Sequence, residues 1–223
     1  MLMAREIERF QSDEDMFVAR LTVELLRPIG PMRLAVRCRL VRPGRKVQLV
    51  EGSLWQDETE VARAIALRIR RVKTDLPESS EPPPHSPPDT VDRWTGPYRS
   101  GLAYHLVGVE IRAPARDELA PNWAWVRLTL PLVPGEQPSG LVRVCAAADF
   151  PNGISYVVDT REMSYVNPDL TIYMHRLPIG EWVMVDAHTW LQPRGTGWAE
   201  GALYDERGRI GRSVQALLVE PRS

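Results

Sequence analysis

The chain contains 223 residues, 43% of them hydrophobic, which is enough for a buried core in one or two domains. Its 28 Lys and Arg residues balance 29 Asp and Glu residues, so the charge favours neither nucleic acid nor an anionic membrane as a partner. Two cysteines do not make a disulfide framework, and no apolar run approaches the roughly eighteen residues of a transmembrane helix. We therefore expect a cytoplasmic protein with no membrane span.

The first third of the chain predicts one helix followed by four strands. Apolar side chains at helical spacing indicate that residues 2–10 form the end of a helix. Four runs with strand character follow, separated by Pro and Gly: 17–26, 33–41, 46–55 and 60–72. Ala and Arg in the last run favour helix. We predict a strand there because a related segment, residues 209–219, alternates and carries β-branched residues.

A proline-rich connector follows at residues 74–97, which contain seven prolines among Ser, Glu and Asp. Such a composition cannot build a strand ladder and predicts an extended or disordered segment. A docking motif for a proline-reading domain is the alternative interpretation.

The rest of the chain predicts strands on both sides of one helix. Strands are expected at 102–112 and 123–130, a largely buried helix at 139–150, and a turn at Asn152 and Gly153. Four further strands complete this part, with a hairpin turn at 205–208 between the last two: 170–176, 182–191, 197–204 and 209–219.

An internal repeat relates these two parts. Residues 51–55 (EGSLW) recur as 200–204 (EGALY), and residues 61–65 (VARAI) recur as 210–214 (IGRSV), both 149 residues later. Two copies are too few for a solenoid, which needs at least about three repeats. The repeat therefore predicts two related units packed as a pseudo-dimer.

The order of elements in one unit, strands, a central helix and then four antiparallel strands, is that of a hotdog fold. We predict an α+β double hotdog of two curled antiparallel sheets, each wrapped on a central helix, with the first hotdog lacking its N-terminal strand. The expected units are 1–73 for the incomplete N-terminal hotdog, 74–100 for the linker and 101–223 for the C-terminal hotdog.

Several strings resemble the bacterial acyl-CoA thioesterase II family and its actinobacterial double-hotdog relatives. The resemblance is strongest in 147–155 (AADFPNGIS), 167–189 and 197–219, and it is weaker in 21–64. Members usually show a strand and then a His-Gly-Gly-Pro-type helix start, of which this chain has only the continuation at residues 2–10.

The resemblance implies three catalytic residues in the second copy. They are Asp169, seven residues before an arginine, Thr189 on the next strand, and Gln215 on the last strand. Ordinary structural roles are the alternatives: a strand-start cap for Asp169, a polar residue satisfied within the sheet for Gln215, and a strand former for Thr189.

The repeat distinguishes the two copies at these positions. Arg20 lies opposite Asp169, Ala66 opposite Gln215, and approximately Arg39 opposite Thr189, 149 or 150 residues apart. All three polar candidates belong to the second copy. This is the pattern expected of a duplicated fold with one surviving site.

Thioester hydrolysis needs a water nucleophile, a carboxylate that orients or deprotonates it, and donors for the thioester oxygen. Ser139 and Gly140, at the start of the second helix, are the candidates for substrate binding and oxyanion stabilisation. Asp149 could face the same cleft, but we interpret it as an ordinary acid at a helix end. Asp186 and His188 lack further ligands, so we expect no metal and no cofactor.

The predicted function is an acyl-CoA thioesterase that hydrolyses a fatty-acyl or related thioester by an activated water. A non-catalytic acyl-thioester or lipid-binding hotdog is the alternative, and a hotdog hydratase, which would need a paired Asp and His, is a third. We expect a homodimer or higher homo-oligomer, because an incomplete first hotdog leaves apolar helix and strand edges that need cover.

Overall fold

A computed structural model describes residues 1–79, 81–94, 107–115 and 122–222. Residues 80 and 95–100 of the expected linker and residues 102–106 of one expected strand lie outside these described residues. The first part of the chain contains one helix and four strands, as predicted: α1 (Leu2–Arg9), β1 (Met16–Leu25), β2 (Leu34–Arg42), β3 (Val47–Gln56) and β4 (Thr59–Arg70). The Ala- and Arg-rich segment is a strand because it pairs with both β1 and β3.

The second part of the chain begins with a 3₁₀ helix (Pro88–Thr90) in the proline-rich segment. It continues with two strands, two helices and five more strands: β5 (Val109–Arg112), β6 (Asn122–Leu128), α2 (Gly140–Ala148), α3 (Pro151–Ile154), β7 (Met163–Val166), β8 (Asp169–Met174), β9 (Val183–Gln192), β10 (Thr196–Asp205) and β11 (Gly208–Pro221). The turn predicted at Asn152 and Gly153 is instead the middle of α3. Pro151 opens that helix, at a position where its missing N–H costs no hydrogen bond. The short strand β7 was not predicted.

The described strands form one antiparallel sheet in the order β2-β3-β4-β1-β8-β11-β10-β9-β6-β5, with β7 pairing with β11 outside this order. Reading outwards from the junction of β1 and β8, one side is β1-β4-β3-β2 and the other is β8-β11-β10-β9. The two sides therefore have the same strand order, and their sheets join at β1 and β8.

The register at this junction repeats the 149-residue offset of the sequence. Thr22 pairs with Thr171, its own counterpart in the repeat, and the Thr171 hydroxyl donates to the Thr22 hydroxyl at 3.3 Å. On either side, Leu21 pairs with Ile172 and Val23 with Leu170. The pairing of β1 with β8 is therefore symmetric about the threonine pair.

A glycine at the same place in each half lets a helix approach the sheet. A Cβ on Gly52 would lie 3.0 Å from Ile7 Cδ1 of α1, and a Cβ on Gly201 would lie 3.1 Å from Pro151 Cγ of α3. Ile7 is fully buried, and Pro151 is also buried. The recurrence of Gly at this position in both copies is thus explained by close packing of helix on sheet.

The described part of the proline-rich segment lies along the C-terminal sheet, on the face that carries the cluster of Trp125, Met184 and Tyr204. The His85 ring stacks on the Trp123 ring with their centroids 4.6 Å apart. The Trp125 indole N–H donates to the backbone carbonyl of Ser86 at 2.8 Å. The described part of the proline-rich segment therefore covers this face of the sheet.

Each half also has a corner, the end of a strand where a side-chain oxygen accepts a hydrogen bond from a backbone N–H of a nearby loop. The buried Asp205 carboxylate accepts hydrogen bonds from Arg176 Nη2 and from Ile179 N, both at 2.8 Å. At the repeat position in the first half, Gln56 Oε1 accepts from Gly30 N at 3.2 Å. The corner is conserved in geometry, but only the second half builds it from an ion pair.

No helix among the described residues is both long enough and apolar enough to cross a membrane.

Candidate active site

A cleft of about 480 Å³ lies between the two halves of the sheet, beside the helices. Its volume is in the range of small-molecule sites, which is about 300–1,000 Å³. Polar side chains lie where α2 meets α3 and just before β8, and apolar side chains form the rest of the wall. Among the described residues, the cleft wall includes Ala4, Leu21, Val23, Leu25, Leu54, Ala62, Asp149, Asn152, Asn167, Leu170 and Ile172.

Asp149 is the C-cap residue of α2, and its exposed side chain contributes to the cleft wall. The helix before it is apolar and almost entirely buried. A negative charge at a helix C-terminus opposes the helix dipole, so local preferences do not explain an acid here. Residues that contradict local structural preferences are concentrated at functional sites. The acid at the C-terminus of a predicted helix was therefore the sequence signal that could have identified Asp149.

Two side-chain amides converge on one oxygen of Asp149. Gln215 Nε2 donates to Asp149 Oδ1 at 2.9 Å, and Asn167 Nδ2 donates to the same oxygen at 3.0 Å. Asn152 Nδ2 in turn donates to Asn167 Oδ1 at 3.4 Å. The carboxylate is therefore held from two sides by groups on separate elements, which fixes its orientation at the cleft.

Gln215 is presented by the central part of β11 and is fully buried. Its Oε1 atom is buried and accepts no hydrogen bond from the described residues. Asn167 lies in the two-residue connection between β7 and β8, followed by Pro168, which cannot extend the β7–β11 ladder. Gln215 was among the predicted catalytic residues, whereas Asn167 was not.

Asp169 lies at the start of β8 and makes a different contact. Its Oδ1 accepts a hydrogen bond from the backbone N–H of Ala216 at 2.7 Å. The β8–β11 ladder ends at the pair of Thr171 and Val214, so the Asp169 side chain supplies the next partner along β11. Among the described residues, the cleft wall includes Leu170 and not Asp169. These contacts correspond to the strand-cap alternative.

Thr189 lies on β9 beneath α3, and its side chain is almost fully buried. Thr189 Oγ1 is 2.7 Å from Ser155 Oγ, which donates to the Pro151 carbonyl at 2.7 Å. Ala199 of β10 stands between Thr189 and Gln215 in the sheet. Thr189 therefore holds the end of α3, with one strand, β10, between it and Gln215.

Ser139 and Gly140 lie at the opposite end of α2. The Ser139 hydroxyl accepts a hydrogen bond from Val142 N at 3.2 Å and caps the helix. Since a helix rises about 1.5 Å per residue, the nine residues of α2 separate this end from Asp149 by roughly 13 Å. Of the five predicted site residues, the structure brings Gln215 alone into contact with Asp149.

Cys145, one turn before Asp149, lines the cleft as a buried thiol. Burial raises the pKa of this thiol to about 11, so it is protonated at neutral pH and is no nucleophile. Within the described ranges, no three or more His, Cys, Asp or Glu side chains are grouped so as to hold a metal ion.

Family models match the chain in two adjoining parts. The model of the acyl-CoA thioesterase C-terminal domain matches residues 74–219, and that of the acyl-CoA thioesterase N-terminal domain matches residues 1–69. The chain belongs to the acyl-CoA thioesterase family. The resemblance noted in the sequence is thereby confirmed. In a sequence search, no curated protein matches the chain.

Solved structures similar to this thioesterase-family chain share its fold at low sequence identity. A hotdog-fold protein of unknown function from Alicyclobacillus acidocaldarius is 17% identical, with a TM-score of 0.74 over 100% of this chain and 86% of that chain. Acyl-CoA thioesterase II from Mycobacterium marinum is 14% identical, with a TM-score of 0.70 over 98% of this chain and 85% of that one. The chain therefore has an α+β hotdog fold.

Proposed function

We propose that this protein is an acyl-CoA thioesterase that hydrolyses a fatty-acyl or related thioester with an activated water. The observation that carries the proposal is the Asp149 carboxylate, held by the amides of Gln215 and Asn167 at the polar part of an otherwise apolar cleft. A charged group and an apolar wall in one cleft match a substrate with a polar reacting bond and a hydrocarbon chain. Membership of the thioesterase family supports the same reaction class.

In the proposed reaction, Asp149 takes a proton from a water molecule as the water oxygen attacks the thioester carbonyl carbon. The carbon–sulfur bond then breaks, and the proton is returned to the leaving sulfur. The products are a carboxylic acid and a free thiol. Gln215 and Asn167 donate to the same carboxylate oxygen, so they fix its direction before the water binds.

The contacts around Asp149 support it as the base in preference to Asp169, the acid indicated by the sequence. We propose that Gln215 acts in the site, that Asp169 organises β8 against β11, and that Thr189 positions α3. Ser139 caps α2 in this scheme, and Gly140 provides room beside it: a Cβ there would lie 3.0 Å from Leu177 Cβ.

The test of function is release of free CoA from a series of acyl-CoA substrates, followed with a thiol reagent. The wild-type protein and Asp149→Asn are compared, with Asp169→Asn as the matched control. We expect release by the wild type and by the control, and loss of release in Asp149→Asn. Saturable acyl-CoA binding by the wild type without CoA release would overturn the proposal and favour the non-catalytic acyl-binding alternative.

We further propose that each half is one hotdog unit, that the protein forms a homo-oligomer, and that it works in the cytoplasm. The shared strand order and the register of Thr22 with Thr171 support the first point. In the described part of the chain β2 pairs with β3 alone, which leaves a strand edge for a second copy. The free thiols of Cys38 and Cys145 suit a reducing compartment. A monomeric mass in light scattering at micromolar concentration would overturn the oligomer.

A further inference from the structure

We propose that the first half of the chain is the receptor for the acyl chain, and that Leu54 and Ala62 set the length of chain the protein accepts. The inference rests on the proposed function, since it places the hydrocarbon of that substrate. In this proposal the first half binds the hydrocarbon chain, while the polar residues around Asp149 act on the thioester.

The apolar wall of the cleft crosses the sheet obliquely, from β8 to β3. It begins at Leu170 of β8, in the same cleft as Asp149 and Asn167. Leu170 pairs with Val23 of β1. Leu25, two residues further along β1, pairs with Ala62 of β4, which pairs with Leu54 of β3. All five side chains line the cleft, so one continuous path leads from the second half into the first.

The strands crossed and the shift along β1 together give the length of this path. From β8 to β3 there are three steps between neighbouring strands of about 4.8 Å each, and the step from Val23 to Leu25 adds about 6.6 Å along β1, so the path is about 16 Å long. An extended hydrocarbon with bonds of about 1.52 Å at near-tetrahedral angles advances about 1.25 Å per carbon. The path therefore holds about thirteen carbons, and the substrate class is thioesters of chains of roughly that length.

Leu54 and Ala62 form the far end of the path. Among the described residues, β3 is the last strand in this direction that contributes to the wall, because no residue of β2 lines the cleft. Leu54 is 6% exposed and Ala62 is 1% exposed, so both are tightly enclosed apart from the cleft itself. Ala4 of α1 covers the same region with a small side chain.

The repeat shows that this space is particular to the first half. Leu203, the counterpart of Leu54, is fully buried and is part of the main core cluster, and it does not line the cleft. Leu54 belongs to the same core cluster as Leu203, but Leu54 also lines the cleft. Substitutions in the first half should therefore change chain selection without touching the groups around Asp149.

The experiment measures kcat/KM for saturated acyl-CoA substrates from four to eighteen carbons with two opposite variants. Leu54→Ala extends the cleft and should move the optimum to longer chains, whereas Ala62→Val narrows it and should move the optimum to shorter chains. A methylene that no longer enters the cleft loses about 0.8 kcal/mol, so KM for long chains should rise about four-fold per excluded methylene.

Leu49→Ala, on the opposite face of β3, and Ala35→Val, on the exposed face of β2, are the matched controls, and both should keep the wild-type optimum. Calorimetric binding of free octanoate, dodecanoate and hexadecanoate to the same proteins reports on the cleft without any hydrolysis. Opposite shifts in binding with no CoA release in any protein would sustain this inference and overturn the proposed reaction. Release of CoA with an unchanged chain-length profile in both cleft variants, or equal shifts in the controls, would overturn the inference alone.

Discussion

The two halves of the sheet carry the same row of positions with different chemistry. Across four neighbouring strands the first half has an apolar row, and the second half has a row with two polar residues, one of them Gln215. In order, the paired row in the first half is Leu40, Val50, Ala66 and Leu21, and in the second half it is Thr189, Ala199 and Gln215; Leu170, the repeat counterpart of Leu21, lies just beyond the last pair of β8 and β11. The register thus makes Leu40, next to the Arg39 inferred from the sequence, the counterpart of Thr189.

The central pair in each row shows how a site fits into a packed sheet. The first half pairs a large residue, Val50, with a small one, Ala66, and the second half pairs small Ala199 with large Gln215. The larger residue of the pair is on β3 in the first half and on β11 in the second, while the strands pair in the same way. Strand pairing at this row is therefore shared by the halves, and the side chains on it differ.

Burial of Gln215 shows that this difference is not explained by stability. A buried amide with an unsatisfied polar atom costs about 1–3 kcal/mol, whereas an apolar side chain of similar size costs nothing of this kind. Gln215 is fully buried and its Oε1 has no partner among the described residues. A residue that is unfavourable for packing and contacts Asp149 is expected to be retained for function.

The largest expected effect comes from removing the charge on which the two amides converge. Asp149→Asn keeps the side-chain shape and removes the base, so kcat should fall by about 10²–10⁴-fold. Circular dichroism and thermal unfolding should remain near wild type, because Asp149 is exposed at the cleft. The reverse result, wild-type turnover in Asp149→Asn and a large loss in Asp169→Asn, would restore Asp169 as the base.

The second effect separates the ion-paired corner from its uncharged counterpart. Burial acts to raise the pKa of the Asp205 carboxyl, but Arg176 and backbone N–H groups outweigh it and hold that pKa below its ordinary value. Asp205→Asn leaves Arg176 without its partner and should lower the free energy of unfolding at pH 7 by about 3 kcal/mol. Gln56→Leu, at the same corner of the first half, should cost only about 1 kcal/mol.

The pH dependence of the wild type checks the sign of this effect. A lowered pKa in the folded state gives stability that is present above the unfolded Asp pKa of about 3.9 and is lost as the pH falls through the folded value. Urea unfolding should therefore show the gap between wild type and Asp205→Asn closing below about pH 4. A constant gap from pH 7 to 3 would mean that the Asp205 pKa is not lowered.

A smaller effect is expected from converting the second-half row to an apolar one. Gln215→Leu removes one of the two donors to Asp149, so kcat should fall by about ten- to a hundredfold. Thermal stability should be unchanged or higher, because the buried amide is gone. Ser213→Ala, on the same face of β11 two residues away, is the control and should keep wild-type turnover. An equal loss in Ser213→Ala would indicate a general disturbance of β11.

The smallest effect concerns the paired glycines. A Cβ on Gly201 would lie 2.6 Å from Val185 Cγ1, which a short branched side chain cannot easily relieve, whereas on Gly52 it meets the mobile end of Ile7 at 3.0 Å. Gly201→Ala should therefore destabilise the protein by about 1–2 kcal/mol and Gly52→Ala by less. Denaturant midpoints of the two variants give the comparison. Equal midpoints would show that the two sites accommodate an added Cβ equally well.

Local patterns were sufficient for most of the elements. Alternation and turn residues predicted β1–β4 and β8–β11, because a half-buried strand repeats its burial every two residues. They did not predict β7, since four residues carry too little periodicity. The turn expected at Asn152 and Gly153 is a helix, because Pro151 and the Ser155 hydroxyl together stabilise the α3 turn. Asn167 carried no local signal, and its role depends on the position of Asp149.

The sequence by itself showed the 149-residue repeat and the family resemblance. It also predicted that the candidate catalytic residues belong to the second copy. A fixed offset of 149 residues appears in the chain because each copy must meet the same packing constraints, such as a glycine under a helix. Tertiary structure alone decided which acid stands at the cleft. Asp149 and Gln215 are 66 residues apart and Asp149 and Asn167 are 18 apart. Their contact is made by the packing of α2 on the sheet, which no local pattern records.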